Sequence, residues 1–569
     1  MADMDLIFPS YAQHERMTAA LEAIALNGGA ASLDTLDAAC KSLFDGTNTT
    51  RLFWEYYPRA MAAGATDRYN ALCRFAKAAA QAWNNKTYTL RSYDAAVSGN
   101  TEMTPLDDLA KLQKAQLCTE STEAVEDWAD EDPMTWYIRA NALSKEDGTM
   151  NITFFEGEDG FDITGEAAPV YTFALALWIK EWNDGSYNYI SFRTTKGSGF
   201  YPDAGDVDPT NKKRPITWHS TFPGGLNSAG ALTSGAGIRA YNFASASAGI
   251  TKARAMTIYE GLWNDCDTRW LIRMWQLRHW NLENSNIAEG CTNYNYQYQA
   301  AYYEENVKRV LLASSQAVNL VVGSTVSVGD MGSNTNKDRG NAYMRNIADL
   351  VKISSIETVT VNDTEYAAVN LEIDSTITTT ATTYISTMPW HSGATEALPG
   401  HKDGCVNHLT KGKGPLRVAG VEVLEGAYAI GLDPLYQVTA NDAGGFDYAI
   451  YECRDSQNLS GSVTANYIDT GLEYVGMPTG WNYVKEFIKT KLGVLFPKLI
   501  GGSSTAYYKS AFYGTSSAGV RCPWRFAGLN NGGNAGLAAE SGSNSPGSAS
   551  WYGRPRLSGA GKKRGEWAA

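Results

Sequence analysis

The chain has 569 residues, a formal net charge of −13 at pH 7 and 44% hydrophobic residues. That length exceeds what one hydrophobic core serves, so several domains are expected, and the acidic balance argues against a nucleic-acid partner because phosphate binding needs a basic face. No apolar run is long enough to cross a membrane, and the opening MADMDLIFPSYAQHER lacks a signal-peptide pattern, so we expect a protein that is made in a cytoplasm and does not insert into a membrane.

The N-terminal stretch to about Ser98 has a helical pattern. The segments MTAALEAIAL, LDTLDAACKSLF and NALCRFAKAAAQAW carry apolar residues at spacings of three and four, which predicts small amphipathic helices that pack on one another. Thr104, Pro105 and Asp107 have the order of an N-cap and an acidic first turn, and they predict a further helix that ends near Trp128.

A β-rich stretch follows at residues 150–193, where NITFFEG, VYTFALALWIKEW and YNYISFRT are rich in aromatic and β-branched residues and are separated by turn residues. This composition predicts strands. Together with the helices before it, the stretch gives a helical and mixed region over residues 1–210.

Residues 211–300 combine glycine-rich connections with a helix predicted from about Lys252 to Leu282. Apolar side chains recur there at spacings of three and four and share one face, which indicates a buried core or a seam between subunits rather than a cofactor site. The residues on this face are Trp263, Cys266, Trp270, Met274 and Leu277.

Short alternating segments such as AVNLVVGSTVSVGD, VKISSIETVTV and YAAVNLEI fill residues 301–388. Regular strand spacing with turn residues between the strands predicts a small β-barrel or sandwich. From residue 389 to the end, glycines are frequent and single Trp and Tyr residues lie among polar loops. The fold class predicted for the whole chain is multidomain α+β.

The C-terminal stretch reads CPWRFAGLNNGGNAGLAAESGSNSPGSASWYGRPRL. It resembles the C-type-lectin-fold variable proteins that phages and prophages diversify with retroelements, and more distantly the formylglycine-generating-enzyme superfamily. The family pattern is Trp/Arg, a glycine-rich turn, Asn-x-Gly-x-x-Ala-Gly, a polar stretch and a Gly-x-Arg strand. The matching positions are Trp524, Arg525, Gly528, Asn531, Gly532, Asn534, Ala535, Gly536, Trp551, Gly553, Arg554 and Arg556.

An upstream element, RVAGVEVLEGAYAIGLD, is similar to the family's Gly-Ile-Glu-Asn-x-x-Gly-x-x-x-Trp segment. It keeps the pattern at Gly420, Val421, Glu422 and Gly426. It departs at Val423, where asparagine is usual, and at Ala429, near the usual tryptophan. The resemblance implies a C-type-lectin-like ligand-binding domain over residues 389–569.

In the family, adenines of a template copy are mutagenised, so variable positions hold small, polar and aromatic residues, the types that paratopes also use. The resemblance therefore implies a variable, ligand-binding surface among such residues. The candidate positions are Ala511, Phe512, Tyr513, Gly514, Thr515, Ser516, Ser517, Val520, Cys522, Ala527, Ser541, Ser543, Asn544, Ser545, Gly547, Ser548, Ser550 and Tyr552.

A division into a fixed frame and variable surface residues is physically reasonable, because interior tryptophans and close-packed glycines can hold the backbone in place while the side chains between them change. The alternative is a plain Gly/Ser-rich terminal loop. The spaced tryptophans and arginines argue against that alternative, since a disordered tail would not need them.

The implied function is that of a receptor-binding protein on a phage or prophage virion, with a host cell-surface protein or glycan as ligand. Residues 1–210 would attach to other virion proteins, and we expect a homo-oligomer, a trimer, because multiple copies raise effective concentration. A purely structural virion protein is the alternative, and it would need no variable surface. A near-duplicate of the last stretch beside a reverse-transcriptase gene would discriminate between them.

Catalysis is not expected. The resemblance to formylglycine-generating enzymes implies copper held by a cysteine pair, and only Cys522 lies in the corresponding region, so neither that activity nor a cofactor is predicted. A tailspike-type glycan hydrolase stays open as a less favoured alternative, because a carboxylate pair leaves no sequence signature. The cluster of His391, His401, Cys405 and His408 resembles a metal site in spacing, but we interpret these residues as packing or hydrogen-bonding, and no metal is predicted.

Overall fold

The computed structural model describes residues 32–44, 49–119, 121, 128, 132–400, 402–407, 411–559 and 563–567. Helix makes up 17% of it and strand 34%, and most strands are antiparallel. The multidomain α+β class predicted from the sequence is confirmed at this level. Within the described residues, no helix is long and apolar enough to cross a membrane.

The helices are α1 (Leu33–Leu43), α2 (Thr49–Ala62), α3 (Arg68–Ala82), α4 (Ala246–Ala253), α5 (Asp265–His279) and α6 (Ser314–Ala317). The strands of the first two thirds are β1 (Tyr88–Tyr93), β2 (Thr104–Asp107), β3 (Tyr137–Ser144), β4 (Met150–Phe155), β5 (Val170–Leu175), β6 (Trp178–Asn183), β7 (Tyr187–Arg193), β8 (Tyr201–Pro202), β9 (Ile216–Ser220), β10 (Gly224–Leu226), β11 (Leu232–Ser234), β12 (Gly261–Leu262), β13 (Gln297–Gln299), β14 (Arg309–Leu312), β15 (Thr325–Asp330), β16 (Ala348–Val361), β17 (Thr364–Leu371) and β18 (Thr383–Thr387). The remaining strands are β19 (Gly404–Cys405), β20 (Leu416–Val418), β21 (Val421–Val423), β22 (Tyr428–Ile430), β23 (Leu435–Ala440), β24 (Phe446–Glu452), β25 (Ile468–Met477), β26 (Gly480–Phe487), β27 (Pro497–Ile500), β28 (Ala511–Gly514), β29 (Gly519–Arg521), β30 (Trp524–Arg525), β31 (Glu540–Ser541), β32 (Gly553–Pro555) and β33 (Leu557–Ser558).

Helices α1 to α3 form the N-terminal layer. The side chains of Ser32 and Asp67 cap α1 and α3 by accepting backbone N–H bonds. Phe53 and Phe75 meet edge to face at 5.3 Å and pack against Trp136, which joins the helices to the sheet behind them. The helices predicted at LDTLDAACKSLF and NALCRFAKAAAQAW are confirmed, whereas MTAALEAIAL lies outside the described residues.

The predicted helical stretch up to Ser98 is too long, because β1 begins at Tyr88. The helix predicted from Thr104 towards Trp128 is also wrong over its described part. Residues 104–107 instead pair with β1 as the edge strand β2, and a short 3₁₀ turn follows. Proline is tolerated in an edge strand. An isolated helix is only marginally stable in water, so pairing with the free edge of β1 prevails over the local helical pattern.

Two antiparallel sheets follow, and they confirm the strands predicted over residues 150–193. One has the order β2-β1-β7-β6-β8 and the other the order β4-β3-β5-β9. Strands β3 and β5 are buried along almost their whole length, so the apolar alternation of a half-exposed strand is missing there.

The single helix predicted from Lys252 to Leu282 is wrong, because the structure breaks it into α4, β12 and α5. Strand β12 pairs with β33 near the other end of the chain. Helix α5 then begins with a capping box in which Asn264 and Asp267 bind each other's backbone N–H groups. Every residue of α5 is buried. The helix therefore belongs to the core on all its sides and not only on the apolar face that the sequence indicated.

Residues 297–387, which include most of the stretch expected to form a small β-barrel or sandwich, contain a sheet of order β13-β18-β15-β16-β17-β14. Past β13, the N–H of Ala301 donates to the carbonyl of Leu311 in β14 at 2.8 Å, and Tyr302 bridges the same residue. These bonds join the first and last strands, so the sheet closes around an apolar interior that includes Val310, Val326 and Ile353.

The C-terminal strands form a sheet of order β27-β26-β28-β31-β30-β22-β32 and a second of order β25-β24-β23-β29. They pack directly on elements that precede residue 300. Arg525 of β30 pairs with Asp265 of α5, and the indole N–H of Trp218 in β9 donates to the carbonyl of Gly559. The C-terminal strands are therefore packed against elements of the region 211–300.

Buried carboxylates tie several of these elements together, and Glu260 is one that has no cationic partner among the residues the structure describes. It is fully buried and accepts bonds from the N–H of Ser144 at 3.0 Å and the hydroxyl of Tyr171 at 2.7 Å. Burial raises the pKa of Glu260 to about 7.

Glu260→Gln should therefore flatten the pH dependence of stability. A carboxyl whose folded pKa is raised holds its proton more tightly in the native state, so its contribution falls as pH rises from the unfolded value near 4.5 to about 7. Above pH 7 the variant should gain on the order of 3 kcal/mol over the wild type, and this gain should vanish below pH 4.5. Urea unfolding between pH 4.5 and 8 measures it, with exposed Glu305→Gln as the control; a gain independent of pH would contradict this origin.

Candidate ligand-binding surface

The C-terminal sheet has two faces, and the strand pairing shows which side chains lie on each. Residues directly opposite one another in neighbouring strands project to the same face, so the strand register assigns each side chain to a face. One face carries Trp481, Tyr513, Ser541, Trp524, Ile430 and Pro555 in a row, and the other carries Asn482, Phe512, Glu540, Arg525, Ala429 and Arg554. We call these the aromatic face and the helix face.

The helix face holds a buried ion cluster against α5. The Nε atom of Arg525 donates to Asp265 at 2.9 Å, and its second guanidinium branch lies 2.6 Å from Glu540. The hydroxyl of Tyr436 donates to Glu540 at 2.6 Å. Burial raises the pKa of both carboxyls, although Arg525 acts in the opposite direction. The cluster joins β30, β31 and α5, and thus fixes the sheet on the helix.

Arg554 and Arg556 of the Gly-x-Arg strand are buried and bind backbone carbonyls. Arg554 donates to Gly224 and, at 3.1 Å, to Trp390. Arg556 donates to Glu422 at 2.7 Å and to Ser220 at 2.8 Å. A planar guanidinium can satisfy several acceptors at once, so the arginines of the motif act as structural ties rather than as exposed ligand contacts.

Close packing explains why the motif has glycine at position 553. A Cβ atom at this position would lie 2.7 Å from the ring of Trp524 and 2.9 Å from Ile430. Trp524 is fully buried, and its ring lies where any larger side chain at residue 553 would stand. The Trp and Gly positions of the motif thus depend on each other across the sheet.

The upstream element belongs to the same frame. The carboxylate of Glu422 accepts the N–H of Gly393 at 2.9 Å and both the N–H and the hydroxyl of Thr395 at 2.8 Å. Burial raises the pKa of Glu422 to about 7. The two departures from the family pattern, Val423 and Ala429, are both buried apolar positions, so an apolar residue suits each of them.

The structure corrects part of the predicted variable surface. Some candidate positions are buried, because short strands alternate their side chains and because neighbouring segments cover them. Phe512 faces the helix side and packs on Phe496 at 5.0 Å, and Cys522 has a pKa raised to about 12 by burial. The buried candidates are Ala511, Phe512, Gly514, Thr515, Cys522, Ala527 and Ser541.

The other candidates reach the surface in part or fully. Tyr513 lies in β28 and Val520 in β29, and the others lie on the loops after β28 and β31 and just before β32. Tyr513 meets Trp481 edge to face at 4.9 Å, and Tyr552 contacts Tyr428, Trp524 and Trp551 within 5.9 Å. The accessible set is Tyr513, Ser516, Ser517, Val520, Ser543, Asn544, Ser545, Gly547, Ser548, Ser550 and Tyr552.

Trp481 joins this set although the sequence did not single it out. It is half-buried and extends the aromatic face beyond Tyr513. The signal in the sequence was the alternation of GWNYVKEF in β26, which places Trp481 and Tyr483 on one side of a strand. That pattern did not indicate that Trp481 lies opposite Tyr513 in the sheet.

Trp551 lies at the junction with the barrel rather than in the interior of the C-terminal sheets. The guanidinium of Arg339, from the loop between β15 and β16, stacks over its ring at 3.6 Å, and burial lowers the pKa of Arg339 to about 10. The ring also belongs to the apolar cluster that fills the barrel. Trp551 therefore links the barrel to the segment that carries the candidate surface.

The metal-like residues are only partly within the described structure, since His401 and His408 lie outside it. His391 Nε2 lies 2.8 Å from the carbonyl oxygen of Leu350, and the thiol of Cys405 donates to the carbonyl of Gly414 at 3.5 Å. Among the residues with assigned positions, no group of His, Cys, Asp and Glu is arranged to hold a metal ion.

The sequence matches no model of a known protein family, and no curated protein matches it.

Proposed function

We propose that the chain is a receptor-binding protein of a phage or prophage virion, in which a C-terminal C-type-lectin-like region is diversified by a retroelement and binds a ligand on the host cell surface. The observation that carries this proposal is the separation of the two kinds of residue. The motif residues Trp524, Arg525, Gly553, Arg554 and Arg556 are buried, whereas the residues of the accessible set, in β28, β29 and the neighbouring loops, are exposed in part or fully.

This separation supports diversification for a physical reason. Substitutions of exposed loop residues usually change stability by only about 0.5 kcal/mol, whereas substitutions within a packed or ion-paired frame cost several times more. The accessible side chains can therefore vary while the frame persists. Small polar residues around Tyr513 and Tyr552 supply adaptable hydrogen bonds around aromatic anchors, the composition that binding loops share.

On this proposal the N-terminal region attaches to other virion proteins, and the assembled form is a homo-oligomer, for which a trimer is the expected state. Several copies on one particle compensate for weak binding at each site. A structural virion protein without a variable surface is the competing function, and the two differ in what happens when accessible residues change.

Substitutions at Tyr513 and in the loop that follows it should weaken binding to host cells. In Tyr513→Ala an aromatic anchor is lost, and in Ser516→Arg a bulky cation enters the exposed loop after β28. We expect each variant to bind host cells at least about tenfold more weakly, the usual effect of losing a central contact. Binding of the fluorescently labelled protein to cells of the host bacterium measures this.

Tyr303→Ala is the matched control, since Tyr303 is 50% exposed on the barrel and does not belong to the accessible set. It should bind as the wild type does, and all three variants should melt within a few degrees of the wild type. Unchanged cell binding in both Tyr513→Ala and Ser516→Arg would favour the structural virion protein.

A further inference from the structure

A groove lies between the segment at residues 237–243 and the barrel residues 345–350, next to Ser550 of the accessible set. Its volume is about 570 Å³, and its lining includes Arg239, Tyr241, Asn242, Phe243, Arg345 and Asp349. None of these is a candidate variable position. That volume is within the range of pockets for small molecules, roughly 300–1,000 Å³.

The groove is in direct contact with the loop that carries Ser550. The N–H of Phe243 donates to the carbonyl of Ser550 at 2.8 Å, and the amide of Asn242 donates to the carbonyl of Trp551 at 3.1 Å. A ligand in the groove would therefore lie close to Ser550, one member of the accessible set, while its contacts would come from residues outside that set.

The charge of the groove is positive in an otherwise acidic protein. Arg239 is exposed and donates to the backbone carbonyl of Asp349, and within the described residues no carboxylate pairs with it. Arg345 has Asp349 as its acidic neighbour, at 3.5 Å, and the Nε atom of Arg345 is buried without a hydrogen-bond partner. Neither guanidinium is matched by a close bidentate carboxylate, the partner this group binds best.

Aromatic and amide groups complete the lining. The guanidinium of Arg345 stacks over the ring of Phe243 at 3.8 Å, which holds its donors in a fixed plane. Tyr241 and Phe243 are half-buried, so part of each ring remains accessible. Aromatic carbon surface beside an amide and guanidinium donors suits a pyranose ring that carries hydroxyls and one negative group.

We propose that this groove is a constant subsite for a carboxylated saccharide of the host surface, with Arg239 and Arg345 receiving the carboxylate and Tyr241 and Phe243 contacting the sugar ring. The assignment of a host-surface source rests on the proposed function, but the chemistry of the groove does not. Its residues are separate from the accessible set, so the two kinds of binding can be measured independently.

The test uses the full-length chain and a panel of oligosaccharides that bear a sialate, glucuronate or galacturonate, each with its neutral counterpart. Calorimetric titration should show saturable binding of at least one carboxylated member and at least about tenfold weaker binding of its neutral counterpart. Affinity should fall as NaCl is raised, because the contact is between charges.

Arg345→Gln and Arg239→Gln should each weaken that binding by about tenfold or more. Lys308→Gln, an exposed charge loss on the barrel, should leave it unchanged. Arg239 is the cleaner site because it is exposed, and its variant should melt as the wild type does. A pentaglutamate peptide is the rival probe for an acidic protein partner.

Several outcomes would overturn the saccharide assignment: no carboxylated member binds, neutral members bind equally well, both arginine variants bind normally, or pentaglutamate alone binds in an arginine-dependent manner. Saccharide binding that survives in Tyr513→Ala while cell binding is lost supports both proposals. If the chain binds the saccharide but its cell binding is unchanged in Tyr513→Ala and Ser516→Arg, the saccharide subsite is supported and the diversified binding surface is contradicted.

Discussion

Phe512→Ala is expected to lower the free energy of unfolding by about 3–5 kcal/mol, whereas Tyr513→Ala next to it should cost less than about 1 kcal/mol. Phe512 is 1% exposed and packs edge to face on Phe496 and on Tyr448, at 5.0 and 5.7 Å. Gly542 leaves room for this ring, since a Cβ there would lie within 2.3 Å of it. Removing the ring opens a cavity that this close-packed surrounding cannot fill.

Urea unfolding of both variants, followed by tryptophan fluorescence, measures the difference. The pair is a matched comparison, because the residues are adjacent in β28 and differ in the face they occupy. Equal destabilisation by the two substitutions would mean that the register of β28 is wrong and that Phe512 belongs with the accessible residues. The sequence alone grouped them together as surface positions.

Arg525→Met is the second substitution with a large expected effect. It keeps much of the side-chain volume but leaves Asp265 and Glu540, both almost fully buried, without their shared counterion. Breaking a buried ion pair by removing one partner costs about 3–5 kcal/mol. The loss should be smaller at pH 5 than at pH 8, because without the arginine both carboxyls bind protons more readily and become neutral.

Chemical unfolding at the two pH values measures this effect. The triple variant Arg525→Met, Asp265→Asn, Glu540→Gln should recover most of the lost stability, since no uncompensated charge remains. Arg309→Met serves as the control, because Arg309 and Glu304 form a half-exposed pair on the barrel whose loss should cost at most about 1 kcal/mol. An equal loss at pH 5 and pH 8 would assign the effect to packing instead.

The parts of the fold that depend on local pattern could be predicted from the sequence. Amphipathic spacing indicated α1 and α3. Segments rich in aromatic and β-branched residues indicated the strands of residues 150–193, and short alternating segments indicated those of the barrel. Elements with distant partners could not be predicted. Strand β2 replaced a helix because β1 offered it an edge, and β12 interrupted another because β33 pairs with it.

The candidate site divides in the same way. The motif indicated which tryptophans and arginines belong to a frame, and these are buried. It did not indicate which of the residues between them are accessible, because Phe512 and Tyr513, or Ser541 and Ser543, differ only in the face of a short strand or in the cover from another segment. Trp481 and the groove residues at 239–243 come from other parts of the chain and had no signal in the motif.

The pairing of Asp265 with Arg525 also constrains how the protein can be made. On the ribosome, Asp265 of α5 is synthesised 260 residues before its counterion Arg525. The separation between β12 and its partner strand β33 is greater still. The packing around α5 and β12 therefore cannot be completed until almost the whole chain has been translated. A copy of the gene truncated before Arg525 would yield a chain in which Asp265 has no counterion, and we expect cellular proteases to degrade such a product.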